Sequence, residues 1–378
     1  MGDNKDNKRK LEDVSISPIF IRRQKTSIYN LSESESDEYE DSDLEEIFNS
    51  EDTNNNSKLE KELVKFNVKI NTLDDLITLG KKYDKTKRYE FDMKKLNKMI
   101  GSIENINNFI GMKKIKQHLV DHILFFLQAD NLKLDKSEKD IMHTVITGPP
   151  GVGKTEFAKA LGKLYLSMGI LKTDKFNKVT RSDMVARYLG QTAIKTRDLI
   201  KRCDGGVMFI DEVYALGNNE QRDSFAKEAI DTLNEHLTEK KNSLICIVAG
   251  YKNEVNDCFF AFNKGLESRF PIRFEIDGYD ENELYQIFKQ KIDKCKWSLS
   301  NKINSDFFKD KKQDFQYFGR DIENFISQVR RCHSRRVFTL SNEEKTIITM
   351  EDLKIGFESF KSLAKIKENK DFLNHLYI

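Results

Sequence analysis

The run His143-Thr-Val-Ile-Thr147 passes without a break into Gly148-Pro149-Pro150-Gly151-Val152-Gly153-Lys154-Thr155 and then into the helix-forming Glu156-Phe-Ala-Lys-Ala-Leu161. This stretch constrains the fold most strongly, because it reads as a buried strand, a tight loop and a helix in immediate succession. The glycines let the backbone wrap so that successive N–H groups point at one centre, and the helix amino terminus adds a favourable dipole. Such a centre suits phosphate oxygens, and the spacing fits GxxxxGK(S/T) in the strand, loop and helix context that the pattern requires. In that arrangement Lys154 reaches the β and γ phosphates of a nucleotide, and Thr155 places its hydroxyl on Mg²⁺. A glycine-rich turn arising by chance is the competing reading. Ordinary residue frequencies make such a match an event on the order of one per cent.

A second acid-bearing strand follows. Gly205-Gly-Val-Met-Phe-Ile210 is an apolar run that ends in Asp211-Glu212. A carboxylate at the end of a buried strand is costly to desolvate unless it meets a cation. Mg²⁺ carried by ATP supplies one, which makes Asp211 a metal ligand and Glu212 the base that orients and activates the attacking water. The plain alternative is an acid pair that caps the next helix.

Further apolar runs at 176–180, 244–249 and 272–276 alternate with amphipathic segments, the clearest holding Phe225, Ala229, Leu233 and Leu237 at four-residue spacing. This alternation predicts a parallel α/β sheet. After Asp280 the strand pattern stops and helical periodicity takes over at 284–292, 322–329 and 353–363. The expected organisation is therefore a disordered acidic leader over 1–57, a helical lead-in over 58–102, an α/β subdomain over 103–277, an all-helical subdomain over 278–363 and a tail over 364–378.

Charge is distributed unevenly among these parts. The 378 residues carry 64 Lys plus Arg against 62 Asp plus Glu, for a formal +2. Between Leu31 and Ser57 stand eleven acids and no Lys or Arg, so that segment carries −11 and the remainder +13. So acidic and polar a leader cannot bury enough apolar surface to offset the entropy of ordering it. No run of about 18 apolar residues offers a membrane span, and no apolar stretch follows the basic residues at the amino terminus as a secretory signal requires. The five cysteines form no CxxC pair, which points to a reduced compartment and no structural zinc.

Several segments in order resemble the AAA+ ATPases, and within them the CbxX/CfxQ (CbbX-like) family, over 109–363. Phe109-Ile110-Gly111-Met112 is similar to the lead-in that contacts adenine. Thr180-Arg-Ser-Asp-Met-Val-Ala-Arg-Tyr188-Leu-Gly resembles the second strand's end and the pore loop. Ile247-Val-Ala-Gly-Tyr-Lys252 is similar to the fourth strand, Asn263-Lys-Gly-Leu-Glu-Ser-Arg269-Phe-Pro271 to the arginine-finger segment, and Phe318-Gly-Arg320-Asp-Ile-Glu-Asn324 to the sensor 2 helix. A single module with an acidic leader and Asn, Lys and Ile enrichment also resembles versions encoded by large DNA viruses. Two positions depart from the pattern, because Lys264 and Glu267 stand where the family commonly has Pro and a second Arg. The sensor 1 position is unassigned between Tyr251 and Asn253.

The resemblance implies a P-loop NTPase fold, a five-stranded parallel sheet with helices on both faces plus an all-helical lid. It implies ATP and Mg²⁺ as cofactors, with Ile110 and Gly111 at the base, and Arg269 reaching a neighbour's γ-phosphate. Arg320 would act on the same phosphates within the subunit, and Tyr188 would grip a polypeptide in a central pore. Arg269 as an ordinary surface arginine, Arg320 paired with Glu323, and Tyr188 as a packing residue are the respective plain readings. The implied partners are further copies of the chain in a ring, taken as a hexamer, and a protein substrate of unknown identity. The expected compartment is the cytoplasm, the host's if the chain is viral. A nucleic-acid motor and a nucleotide-dependent assembly scaffold are the alternatives. The basic remainder of the chain favours the first of these, and the lack of interleaved aromatic and basic residues near Tyr188 speaks against it.

Overall fold

The computed structural model describes residues 62–128, 141–188, 190–217, 223–309, 311–341 and 344–376. The expected acidic leader, 1–57, lies outside them.

Thr72 opens α1 (Leu73–Gly80) with a capping box. Its hydroxyl accepts from the Asp75 N–H while the Asp75 carboxylate accepts from the Thr72 N–H, which satisfies two donors that a helix start leaves orphaned. Asp92 caps α2 (Met93–Asn107), whose Met93, Leu96, Met99, Ile103 and Ile106 form one buried stripe. The boundary expected at 102/103 falls inside this helix, because the stripe is continuous across it. The lead-in also holds a two-residue parallel ladder, Leu63–Val64 with Arg88–Tyr89. Its helices share one core with the helix after the glycine loop, a core that includes Leu96, Met99, Leu161 and Leu164. The next helix is α3 (Lys113–Gln128).

In the body, β1 (Thr144–Thr147) leads to α4 (Lys154–Ser167), and β2 (Phe176–Val179) to α5 (Arg181–Met184) and α6 (Thr192–Cys203). β3 (Val207–Ile210) leads to α7 (Ser224–Glu239), β4 (Ile245–Gly250) to α8 (Lys252–Cys258) and α9 (Lys264–Glu267), and β5 (Ile272–Glu275) closes the series. The five strands pair in parallel in the order β2-β3-β4-β1-β5. Alternate residues of each strand point to opposite faces. Ile146, Phe209 and Ile247 join the core shared with α4, whereas Val145, Met208 and Val248 join a second core with Leu199, Ile230 and Leu233 of α6 and α7. Burial on both faces explains why β3 and β4 read as unbroken apolar runs. The loop after β1 opens at the carboxyl edge, where ligands of open α/β sheets bind.

His143, at the foot of β1, is fully buried. Its Nδ1 accepts from the Cys246 N–H at 3.1 Å, so Nε2 carries the proton and donates to the Leu237 carbonyl at 3.0 Å. Burial pushes its pKa down to about 4. An unfolded chain protonates this imidazole near pH 6.5, and the folded chain resists until about pH 4. The unfolded state therefore binds more protons across that window, and stability falls as pH falls through it. His143 is expected to account for about 3 kcal/mol of that acid loss. Urea unfolding at pH 7 and pH 4.5 checks this, because His143→Gln should flatten the slope, and an unchanged slope would refute it.

The lid comprises α10 (Glu281–Lys294), α11 (Phe318–Val337) and α12 (Met350–Leu376). Its core is aromatic, with Phe307 stacked on Phe325 at 5.9 Å and Phe288, Phe308 and Phe315 fully buried. Two findings differ from expectation. A two-residue parallel ladder, Ser298–Leu299 with Ile347–Ile348, joins the chain leaving α10 to the chain entering α12. And α12 runs beyond 363, the expected end of the lid, to Leu376. His333 is structural, since its Nδ1 lies 3.0 Å from the buried Asp352, which also accepts from Arg336 at 2.8 Å.

Candidate nucleotide site

Gly148, Gly151 and Gly153 all take positive φ, at +156°, +78° and +91°, and Gly153 in the left-handed region starts α4. Gly148 and Gly151 admit no other residue, because a Cβ would stand 2.5 Å from the Ile276 carbonyl oxygen at the first and 1.8 Å from the Tyr317 carbonyl oxygen at the second. The Tyr317 contact belongs to a closure between loop and lid. The Gly319 N–H donates to the Gly151 carbonyl at 3.0 Å, and the buried Tyr279 hydroxyl donates to the Val152 carbonyl at 2.8 Å. Burial, reinforced by Glu283, pushes the Tyr279 phenol up to about 12, so it stays a donor.

Within the loop Lys154 donates to the Gly148 and Pro149 carbonyls at 2.8 and 2.9 Å. Burial lowers its pKa first; Asp211 and Glu212 oppose that and Arg320 adds to it. One electrostatic neighbourhood thus contains four of the expected site residues. Thr155 donates its hydroxyl to Oδ2 of Asp211 at 3.2 Å, and the same oxygen accepts from Lys178 at 2.8 Å. Glu212 takes a left-handed backbone, φ 51° and ψ 48°, a conformation that is strained for a residue with a Cβ. Glu212 is exposed at this turn.

Two oxygens, Thr155 Oγ1 and Asp211 Oδ2, suit a small hard cation that takes one or two protein ligands and completes its shell with phosphate and water. Among the described residues no group of three His, Cys, Asp or Glu side chains gathers to hold a metal by itself. The residues therefore fit a nucleotide-borne Mg²⁺ better than a resident ion.

The two sensor 1 candidates differ in placement. Tyr251, not the exposed Asn253, faces the loop from the end of β4, with its ring centroid 5.1 Å from Lys154 Nζ. It stacks on Tyr214 at 5.6 Å. Arg320 sits in the first turn of α11, and Glu323, its expected helical partner, pairs with Lys291 instead. Gly111, at φ +69°, backs onto Glu283 and Tyr279, and Ile110 is half-buried against the core. A cleft of about 340 Å³ opens beside Met112, Gly278 and Lys312. A larger one of about 540 Å³ lies between α10 and α11, and none of its lining residues belongs to the glycine loop.

Arg269 and Tyr188 are not gathered into this cluster. Arg269 donates to Thr238, Ser268 and the Gly265 carbonyl, none of them in the loop. Glu267, at the position where the family commonly has a second Arg, pairs with Arg273 at 3.0 Å. Tyr188 is 69% exposed.

The profile of the ATPase family associated with various cellular activities (AAA) matches residues 144–277. A putative cfxQ-like protein of Acanthamoeba polyphaga mimivirus is 41% identical over 314 residues, which cover 81% of this chain and 76% of that protein. The chain belongs to the CbxX/CfxQ family of AAA+ ATPases. Stage V sporulation protein K of Bacillus subtilis is 35% identical, over 62% of this chain and 75% of that protein. A CfxQ homologue of Pyropia yezoensis is 31% identical, over 74% and 91%. As a member of this family the chain binds nucleotide and hydrolyses ATP. Among the described residues of this AAA+ ATPase, no helix is long and apolar enough to cross a membrane.

The residues missed in the sequence are Lys178 and Tyr279. Lys178 stands near the end of an edge strand, where lysines are common for other reasons, and Tyr279 acts across 127 residues of chain.

Proposed function

We propose that the chain hydrolyses ATP with Mg²⁺ in a ring of its own copies, a hexamer, and uses turnover to remodel or thread a polypeptide. Lys154 and the loop N–H groups hold the phosphates, with Ile110 and Gly111 at the base. Thr155 and Asp211 would hold Mg²⁺, which when bound draws negative charge from the phosphates. Glu212 takes the proton of the attacking water. Arg320 reads the phosphates from the lid, and the contacts of Gly319 and Tyr279 with the loop make lid angle depend on loop geometry. Arg269 serves the neighbouring subunit.

The observation that carries the threading role is Tyr188. Tyr188 is 69% exposed on the segment between α5 and α6, which supports the pore reading over packing within the chain, and an exposed aromatic there can grip side chains of an extended polypeptide. Unfolded polypeptide should stimulate hydrolysis, and Tyr188→Ala should abolish the stimulation while leaving basal turnover in place. Stimulation by DNA alone that survives Tyr188→Ala would replace this reading with a nucleic-acid motor.

A further inference from the structure

The shared oxygen of Asp211 has a second donor that the ATPase mechanism does not use. Oδ2 accepts from Thr155 Oγ1 at 3.2 Å and from Lys178 Nζ at 2.8 Å. Lys178 lies on β2 in register with Phe209, two residues before Asp211 on the parallel neighbour β3. Its four-carbon stem therefore spans the two residues to the carboxyl edge. The side chain of Asp211 is 20% exposed and that of Lys178 is 54% exposed. The carboxylate is held in place, and the ammonium has open space to move into.

We propose that Lys178 sets the divalent-cation affinity of the site by competing with the cation for Oδ2 of Asp211. This rests on the reading of Thr155 and Asp211 as the Mg²⁺ ligands. An ammonium and a divalent ion seek the same lone pairs, and the carboxylate oxygen cannot satisfy both at close range. The alternative is an edge-strand lysine that serves only to blunt strand pairing, and the two roles give different expectations for cation and nucleotide. Removing the Lys178 charge leaves Asp211 uncompensated, which tightens the hold on a divalent cation. It also removes a positive charge from beside the phosphates, which weakens nucleotide binding when the cation is chelated. An edge-blunting lysine would move neither quantity.

The test uses the full chain and a fluorescent, non-hydrolysable ATP analogue at equilibrium, with Mg²⁺ titrated and a parallel series in chelator, so that no turnover enters the readout. Lys178→Met should lower the Mg²⁺ concentration at half-effect by about fivefold, and weaken binding in chelator by a similar factor, as loss of one partly screened charge at this distance implies. Lys178→Gln should follow Lys178→Met, and Lys178→Arg should stay near the parent. Asp211→Asn should raise the Mg²⁺ midpoint. If Asp211→Asn shifts the midpoint and both neutral Lys178 variants leave it unchanged or raise it, the competition is refuted and the metal-ligand reading stands. If Asp211→Asn also leaves it unchanged, both fail.

Discussion

Lys154→Ala and Arg269→Ala chains, each without steady-state ATP hydrolysis alone, should regain it when mixed. The expectation follows from where the two side chains point. Lys154 lies inside its own loop, bonded to the Gly148 and Pro149 carbonyls. Arg269 follows α9, which Asn263 caps and ties to Asp231 of α7 at 3.0 Å, and its guanidinium engages Thr238 at the far end of α7. In the proposed ring, Arg269, whose partners in its own chain are Thr238, Ser268 and Gly265 rather than the phosphate loop, would supply its charge to a site on another copy. An arginine acting on the transferring phosphoryl group is worth about 10³ to 10⁵ in rate, so its removal silences a ring of identical subunits. In a head-to-tail ring of mixed subunits, an Arg269→Ala chain keeps an intact loop and borrows the arginine of a Lys154→Ala neighbour. Random assembly at equal amounts pairs intact loop with intact arginine at about a quarter of the interfaces. Hydrolysis near that fraction of the parent rate is the expected result. Silence in mixtures shown by sizing to co-assemble would place Arg269 in a structural role.

What was legible in the sequence was the chemistry carried by contiguous residues. The glycine loop, the strand ending in Asp211 and Glu212 and the five apolar runs all stand where local pattern puts them, with ends displaced by a residue or so. β4 extends to Gly250 because that residue still pairs with Thr147, although a glycine reads as a stop. Features that depend on distant partners were not legible. Tyr279 bonds Val152, Lys178 bonds Asp211, and Tyr251 slides beneath Lys154 only because β1, β3 and β4 end at one edge. The end of the lead-in was not legible for the same reason: it is set by a helix face that packs on α4, and a boundary drawn from pattern alone cuts through α2. The left-handed turn at Glu212 carries no glycine to announce it.

Glu212→Gln should reduce hydrolysis by about 10²- to 10⁴-fold, the range for a general base removed from a positioned water, while leaving nucleotide binding intact. The substitution preserves shape and adopts the same left-handed backbone at similar cost, so the turn that aims the side chain survives. It removes one negative charge near Lys154, which raises the net positive charge around the phosphates and should hold ATP at least as tightly. Asp211→Asn differs, because Oδ2 of Asp211 is where Thr155 and Lys178 converge, and its loss disturbs the cation ligands as well as the rate. The pair therefore separates two jobs done by adjacent acids. Binding measured by nucleotide-induced thermal shift and hydrolysis measured by phosphate release should move apart for Glu212→Gln and together for Asp211→Asn. A Glu212→Gln chain that hydrolyses at the parent rate would show that another group takes the proton. One that no longer binds nucleotide would show that the strained turn at Glu212 serves the binding loop rather than the water.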